Sequence, residues 1–340
     1  MTKRKALIVG AGSWARFWAR AVSTSDRAQV GGWVDIRPDA AKIAAEELGV
    51  PGIFAGADVA EAIEKVSPDF VLNVTAPWSH AQVAIQALDA GLPVLSEKPM
   101  AESLHEARLM IRASEWADKL LMINQQRTHD PRLAAMRALL DEQTGPLGML
   151  DCDFYRAHPE AQFHQEMISP LLYDMAVHAF DAARFLSAAN AVSVYCEDFH
   201  NSWSWWHGKD SAIAVFEMTG GVRFSYRGSW SAHGWETTWE SSWRAVGPKG
   251  TVRWKGIDAP VAEVVDESEP NGLRQIQGQY DPLAPNDIAA SLNDFLTALD
   301  TGVTPLGECH DNIQTLAMTL AAVQSAELGR RIEIQPLLDE

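Results

Sequence analysis

ALIVGAGSWARFWARAVS, residues 6–23, decides how the first half of this chain folds. Residues 6–9 form a short apolar run, as expected of a strand buried on both faces. The glycine turn follows at once, with Gly10, Gly12 and Ala15 in the G-x-G-x-x-G/A positions and Ser13 and Trp14 between them. Gly10 permits the tight turn, Gly12 lets a pyrophosphate approach the backbone, and Ala15 lets the following helix, 16–23, pack close to the sheet with its N-terminus facing the anion. A second strand, 29–34, ends at Asp35, about 20 residues past the turn, where this fingerprint places its acidic residue. That carboxylate can accept hydrogen bonds from both ribose hydroxyls of an adenosine, which favours NAD. Arg37 leaves NADP possible.

From there helices and strands alternate: helices over 38–48, 58–66, 79–89 and 103–117, strands over 70–75, 93–96 and 120–123. Short connections between them predict a doubly wound parallel sheet, whose ligands sit beyond the carboxyl ends of the strands. Three groups fall there: Thr75, Ala76 and Pro77 with His80; Glu97, Lys98 and Pro99; and residues 124–127, including Gln126 and Arg127. Lys98 has the chemistry to polarise a substrate oxygen and help a hydroxyl lose its proton. A cis bond before Pro99 would give a rigid turn that fixes where Lys98 points.

After Asp130-Pro131 comes one more helix, 131–140, and then the texture changes. Strands are expected over 147–155, 191–198, 211–218, 222–230, 242–246 and 251–255, punctuated by Gly220-Gly221 and by Gly247 to Gly250. Successive strands with few helices between them predict a mostly antiparallel sheet with helices on one face. Two further helices are expected over 285–300 and 311–328, and 266–285 is the most linker-like stretch. The cut between domains is placed after residue 124, giving a dinucleotide-binding domain over 1–124 and a substrate-binding and oligomerisation domain over 125–340.

The second half also contains SPLLYDMAVHAFDAARFL, residues 169–186. Ser169 followed by Pro170 reads as a helix start, with the Ser hydroxyl accepting from a first-turn N–H. Asp174, His178 and Asp181 recur at helical spacing on one face. A carboxylate beside an imidazole sets its tautomer and raises its basicity, which makes His178 an acid–base candidate. Asp181 is better read as a partner of Arg184 or a cap. Eight of the thirteen tryptophans lie over 203–254, most of them expected in a core or a subunit contact. Tyr155, Arg127, His158, His233 and Glu236 are candidates for hydrogen bonds to substrate hydroxyls. A metal site from His158, His164 and His178 fits no standard spacing, so none is expected.

Bulk properties set bounds. A net charge of -17 argues against nucleic acid or an anionic membrane as the partner. Cys152, Cys196 and Cys309 are odd in number and widely spaced, as for reduced thiols in a cytoplasm. No apolar run approaches a membrane span.

The order of these features resembles the glucose–fructose oxidoreductase / inositol dehydrogenase / MocA family almost end to end. The resemblance is carried by GAGSWA with Asp35, by VTAPWSHAQVAIQALDAGLPVLSEKPM, by QRTHDP, by the D-x-x-x-H-x-x-D of Asp174, His178 and Asp181, and by GVTPLGECHDNIQTLAMTLAAVQSAELGRRIEI. It implies a Rossmann domain followed by an α+β domain whose open sheet mediates a homodimer or homotetramer. It further implies NAD(P)-dependent oxidation or reduction of sugars, cyclitols and related polyols. By position, Lys98 would contact the reacting oxygen, His178 would be the acid/base, and Asp174 would orient substrate and imidazole. Some relatives use NAD transiently to cleave glycosides, and a non-catalytic NAD-binding sensor is a third expectation. Thr128 stands where many members have a second arginine, and SPLLYD replaces the usual glycine-rich run.

Overall fold

The computed structural model describes residues 3–157, 159 and 163–339. By chain contacts these fall into two compact units: Met1–Gln126 with Pro285–Ile313, and Arg127–Ala284 with Gln314–Glu340.

The first unit is built on a six-stranded parallel sheet. Its strands are β1 (Arg4–Val9), β2 (Ala28–Val34), β3 (Phe54–Gly56), β4 (Phe70–Asn73), β5 (Val94–Ser96) and β6 (Leu121–Ile123), in the order β3-β2-β1-β4-β5-β6. Helices α1 (Ser13–Thr24), α2 (Pro38–Glu47), α3 (Val59–Val66), α4 (His80–Asp89) and α5 (Leu104–Ala117) connect them. The strand order reverses between β1 and β4, so the ends of those strands open the crevice where ligands of such sheets bind. The expected alternation therefore holds, and the three-residue β3 is the strand that hydrophobic patterning passes over.

A single cut after residue 124 would leave 285–313 in the second domain, yet chain contacts group it with the first sheet. Ile288, Leu292, Phe295 and Leu296 of α8 (Asp287–Thr301) share one core with Trp18, Phe70 and Leu72. The Phe295 and Phe70 rings lie 5.3 Å apart, and Asp300 pairs with Arg4 and Arg27 at 2.7 and 2.8 Å.

The second unit holds a nine-stranded mixed sheet, ordered β14-β13-β12-β11-β7-β10-β9-β8-β15. Its strands are β7 (Met149–Tyr155), β8 (Ala191–Phe199), β9 (Ser211–Met218), β10 (Arg223–Ser229), β11 (Ser242–Gly247), β12 (Gly250–Trp254), β13 (Val261–Val265), β14 (Leu273–Gln277) and β15 (Ile332–Glu333). All neighbours run antiparallel except β7 and β10. The linker-like stretch over 266–285 thus contains β14, an edge strand registered against β13 from Leu273–Val265 to Gln277–Val261. One sheet face is covered by α7 (Val177–Ser187), whose Phe180 packs edge-on against Phe216, Phe224 and Tyr226. The chain also forms the short α6 (Pro131–Leu139) and the long α9 (Cys309–Leu328).

Candidate active site

In the first unit the site begins at the glycine turn. Gly10 adopts φ +105°, and a Cβ there would stand 2.3 Å from the carbonyl oxygen of Val74, so no side chain fits. Gly12, the N-cap of α1, is different: a Cβ would meet no protein atom within 4 Å. The space over the turn is open, and the helix N-terminus carries no side-chain cap there, as an anion-binding turn requires. Ala15 is fully buried against the sheet, while Ser13 and Trp14 lie on the exposed first turn. Buried Trp33 donates from Nε1 to the Gly10 carbonyl at 2.8 Å and holds the turn from below.

Asp35 is buried at the end of β2. Its Oδ2 accepts from the Ala11 N–H at 2.8 Å; its Oδ1 accepts from the N–H and Nε of Arg37 at 2.9 and 3.0 Å. Burial alone would push this carboxyl up, but the Arg37 side chain and the two backbone N–H groups outweigh it and hold the pKa below the ordinary value. An ionised acceptor beside an open glycine turn fits the adenosine ribose of a dinucleotide. Together the turn, the uncapped helix and Asp35 fit NAD.

The other strand ends are tied together by buried polar groups. Asn73 donates to the His80 carbonyl and to Ser96 Oγ, and accepts from Thr75 Oγ1 at 2.7 Å. His80 is fully buried, its Nδ1 2.7 Å from the Pro99 carbonyl and its Nε2 3.0 Å from that of Thr75. Burial pulls its pKa down. This imidazole braces the Thr75-Ala76-Pro77 loop against the loop after β5. The Lys98–Pro99 bond is cis. Glu97, 5% exposed, accepts through Oε1 from Trp14 Nε1 at 2.7 Å, Trp18 Nε1 at 2.6 Å and Asn124 Nδ2 at 2.8 Å, and through Oε2 from the Lys98 N–H at 3.2 Å. Asn124 also donates to Gln126 Oε1 at 3.1 Å. Trp18 was not among the expected site residues. Its spacing of four from Trp14 on an amphipathic helix, with an indole N–H that needs an acceptor when buried, is the signal that marks it.

In the second unit the expected helix over 169–186 is two segments. Leu171–Ala176 winds as a π-helix, and α7 begins at Val177. Ser169 does not cap it: its hydroxyl donates to Asp198 Oδ2 at 2.5 Å. The wider π turn carries Asp174, half-buried, while His178 and Asp181 follow on the α-helical part, both buried. Thr315 donates to Asp181 Oδ1 at 2.8 Å and Arg184 donates to Thr315 Oγ1 at 3.0 Å, so Asp181 helps bind α7 to α9. His178 lines a small hollow together with Arg127, Glu240, Ser241, Trp243 and Trp254. Burial lowers the Arg127 pKa, against the upward pull of Glu240, Tyr226, Cys152 and Asp174. Glu240 was missed because it sits inside the tryptophan-rich run, whose aromatic residues dominate the reading.

Tyr155 ends β7 half-buried, and burial raises its hydroxyl pKa. Glu236 pairs with Arg156 at 3.3 Å, and exposed His233 lies 5.4 Å from the Trp205 ring. His158, and the side chain of His164, lie outside the described residues. Of the clustered tryptophans, Trp206, Trp230, Trp243 and Trp254 are core residues, whereas Trp203, Trp235 and Trp239 are exposed.

Comparison with known proteins accounts for both halves. Residues 4–125 match the family model described as the oxidoreductase family, NAD-binding Rossmann fold, and residues 133–253 match the GFO/IDH/MocA C-terminal domain. The chain belongs to the Gfo/Idh/MocA family. An inositol 2-dehydrogenase of Corynebacterium glutamicum is 27% identical over 301 residues, covering 80% of this chain and 87% of that protein. A D-apiose dehydrogenase of Rhizobium rhizogenes is 23% identical over 353 residues, covering 99% of each. Among solved structures, an Agrobacterium radiobacter oxidoreductase in complex with NAD+, L-tartaric acid and magnesium superposes with a TM-score of 0.87 at 22% identity, covering 99% of this chain and 100% of that one. As a Gfo/Idh/MocA protein the chain is an NAD-binding oxidoreductase, a dehydrogenase by family. No helix among the described residues is long and apolar enough to cross a membrane.

Proposed function

We propose that the enzyme oxidises a secondary hydroxyl of a sugar or cyclitol, or reduces the corresponding ketone, with Lys98, Asp174 and His178 serving one reaction. The observation that carries this reading is the lysine at the carboxyl end of β5, in the same unit as an open glycine turn and an ionised Asp35. The substrate class follows the inositol and apiose dehydrogenases to which the chain is similar. Bound NAD+ supplies the acceptor for the hydride lost from the carbinol carbon. Neutral His178 takes the hydroxyl proton as the carbonyl forms. The Lys98 ammonium donates to the same oxygen while negative charge grows on it. Asp174 orients the imidazole and stabilises its charge after proton transfer. Arg127 and Tyr155 donate to other hydroxyls of the substrate.

The test is a panel of sugars, cyclitols and glycosides offered with NAD+ and NADP+, reading reduced cofactor and product identity together. Reduced cofactor accumulating with a ketone product is expected. Glycoside cleavage without net reduction would instead identify a hydrolase using NAD transiently, and NAD binding without turnover of any member would identify a sensor. His178→Ala should lower turnover by about 10²- to 10⁴-fold with NAD affinity retained; an unchanged rate removes the imidazole from the chemistry.

We infer further that the protein is a homodimer or homotetramer through the open face of its second sheet. Val192, Tyr195 and Phe199 of β8 and Ile213 and Val215 of β9 alternate outward there and are exposed. Light scattering of the Val215→Glu and Tyr195→Glu variants tests this: both should shift toward monomer. Three cysteines without disulfide partners support a reducing, cytoplasmic setting.

A further inference from the structure

The geometry points to Glu97 as a positioning residue: an indole clamp of Trp14 and Trp18 grips its carboxylate and thereby fixes Lys98 relative to the glycine turn. The inference rests on the proposed role of Lys98. Three N–H donors converge on one oxygen, Glu97 Oε1, at 2.6–2.8 Å. Two come from successive turns of α1, which follows the glycine turn; the third comes from the residue after β6. The other oxygen accepts from the N–H of Lys98 itself. The three donors at Oε1 are two indoles and an amide, all neutral groups whose N–H directions fix where that oxygen sits. Trp18 is fully buried, so its indole cannot touch a bound dinucleotide. What it can do is transmit the position of α1 to the end of β5.

The clamp is rigid because each of its parts is over-determined. The Glu97 N–H donates to the Asn73 carbonyl at 2.9 Å, and the Asn124 N–H donates to that of Ser96 at 2.7 Å. A glutamine at position 97 offers one oxygen, which serves either the three converging donors or the Lys98 N–H, and its amide N–H₂ then faces a donor on the other side. A phenylalanine at position 18 keeps a buried ring and deletes one donor. Both changes release Lys98 without touching it.

The test uses the full-length protein, in which each lysine is labelled by formaldehyde and a borane reductant and quantified by peptide mass. In Glu97→Gln and Trp18→Phe, Lys98 should label about threefold faster or more, as a locally freed segment does. Exposed Lys42 and Lys65 of the same unit should keep their rates in both variants, and in Trp18→Phe the Kd for NAD+, read by titration, should stay within about threefold. An unchanged Lys98 rate overturns the proposal. So does a rise shared by all three lysines, which is what general loosening would give. In a cycle with Lys98→Met, read with myo-inositol as the probe, Trp18→Phe should lower kcat in the wild-type background and add nothing in the methionine background. Equal losses in both backgrounds also overturn the clamp. Full turnover by Lys98→Met is a different failure: it removes the lysine from the chemistry and sinks the proposed function, even where labelling upholds the clamp.

Discussion

Asp35→Ser should reverse the preference between the two nicotinamide dinucleotides. In the wild type the carboxylate is ionised, held low by Arg37 and by two backbone N–H groups, and in the proposed role its remaining lone pairs would accept from the adenosine ribose. A hydrogen bond to a charged group contributes about 1.5–3 kcal/mol, so losing one to NAD+ should weaken binding about 10- to 150-fold. NADP+ meets the opposite situation. Its 2′-phosphate would face the Asp35 charge, and the guanidinium that would receive it is paired to that same carboxylate at 3.0 Å. Serine removes the repulsion and leaves Arg37, 69% exposed at its side chain, available to the phosphate. The assay is a pair of Kd titrations, following quenching of tryptophan fluorescence, with circular dichroism to confirm that the variant is folded. A folded variant whose NAD+ affinity stays within threefold of wild type, and which still rejects NADP+, refutes the assignment of Asp35.

Three other outcomes are expected. His310 has Nε2 3.0 Å from Glu115 and Nδ1 2.8 Å from Glu308, and these two carboxylates raise its pKa. The stability it contributes is therefore full below the ordinary histidine pKa of about 6.5 and is lost as pH rises through the raised value; the Tm difference between wild type and His310→Asn should shrink from acid to alkaline pH, and a difference that grows contradicts the pairing. Burial pushes the Cys196 thiol up to about 12 and those of Cys152 and Cys309 higher still, so Ellman's reagent at neutral pH should leave all three unreacted in the native protein and modify them on unfolding. Phe180→Ala empties the contact of α7 with three aromatic rings and should cost about 3–5 kcal/mol in urea unfolding, a loss below 1 kcal/mol arguing that the ring does not anchor the helix.

The dinucleotide half was legible because its elements announce themselves locally. Gly10, Gly12, Ala15 and Asp35 each answer to a backbone or hydrogen-bond requirement within one β–α–β unit. The second half was legible as strands but not as an order, since no residue in β7 shows that β10 will lie parallel beside it. Leu273–Gln277 reads as polar linker because all its residues but the half-buried Ile276 are exposed; backbone pairing to β13 makes it a strand, and that pairing leaves no trace in hydrophobic spacing. The π turn before His178 is equally silent in sequence, as positions 174, 178 and 181 keep helical spacing whether the first turn is wide or not. Lys98 and His178 could be singled out by chemistry, but Trp18 and Glu240 could not be assigned partners, because their partners are far along the chain.

Helix α8 has a consequence for how this protein is made and cut. Phe295 and its neighbours close the hydrophobic layer beneath β1 and β4, yet the ribosome adds them after the whole nine-stranded sheet except its last short strand. The nucleotide half is thus synthesised first and finished nearly last, so a nascent chain stalled at residue 126 leaves Phe70 and Leu72 uncovered. A minimal NAD-binding fragment would have to be stitched from two separated pieces, and a simple fragment of residues 1–126 should aggregate.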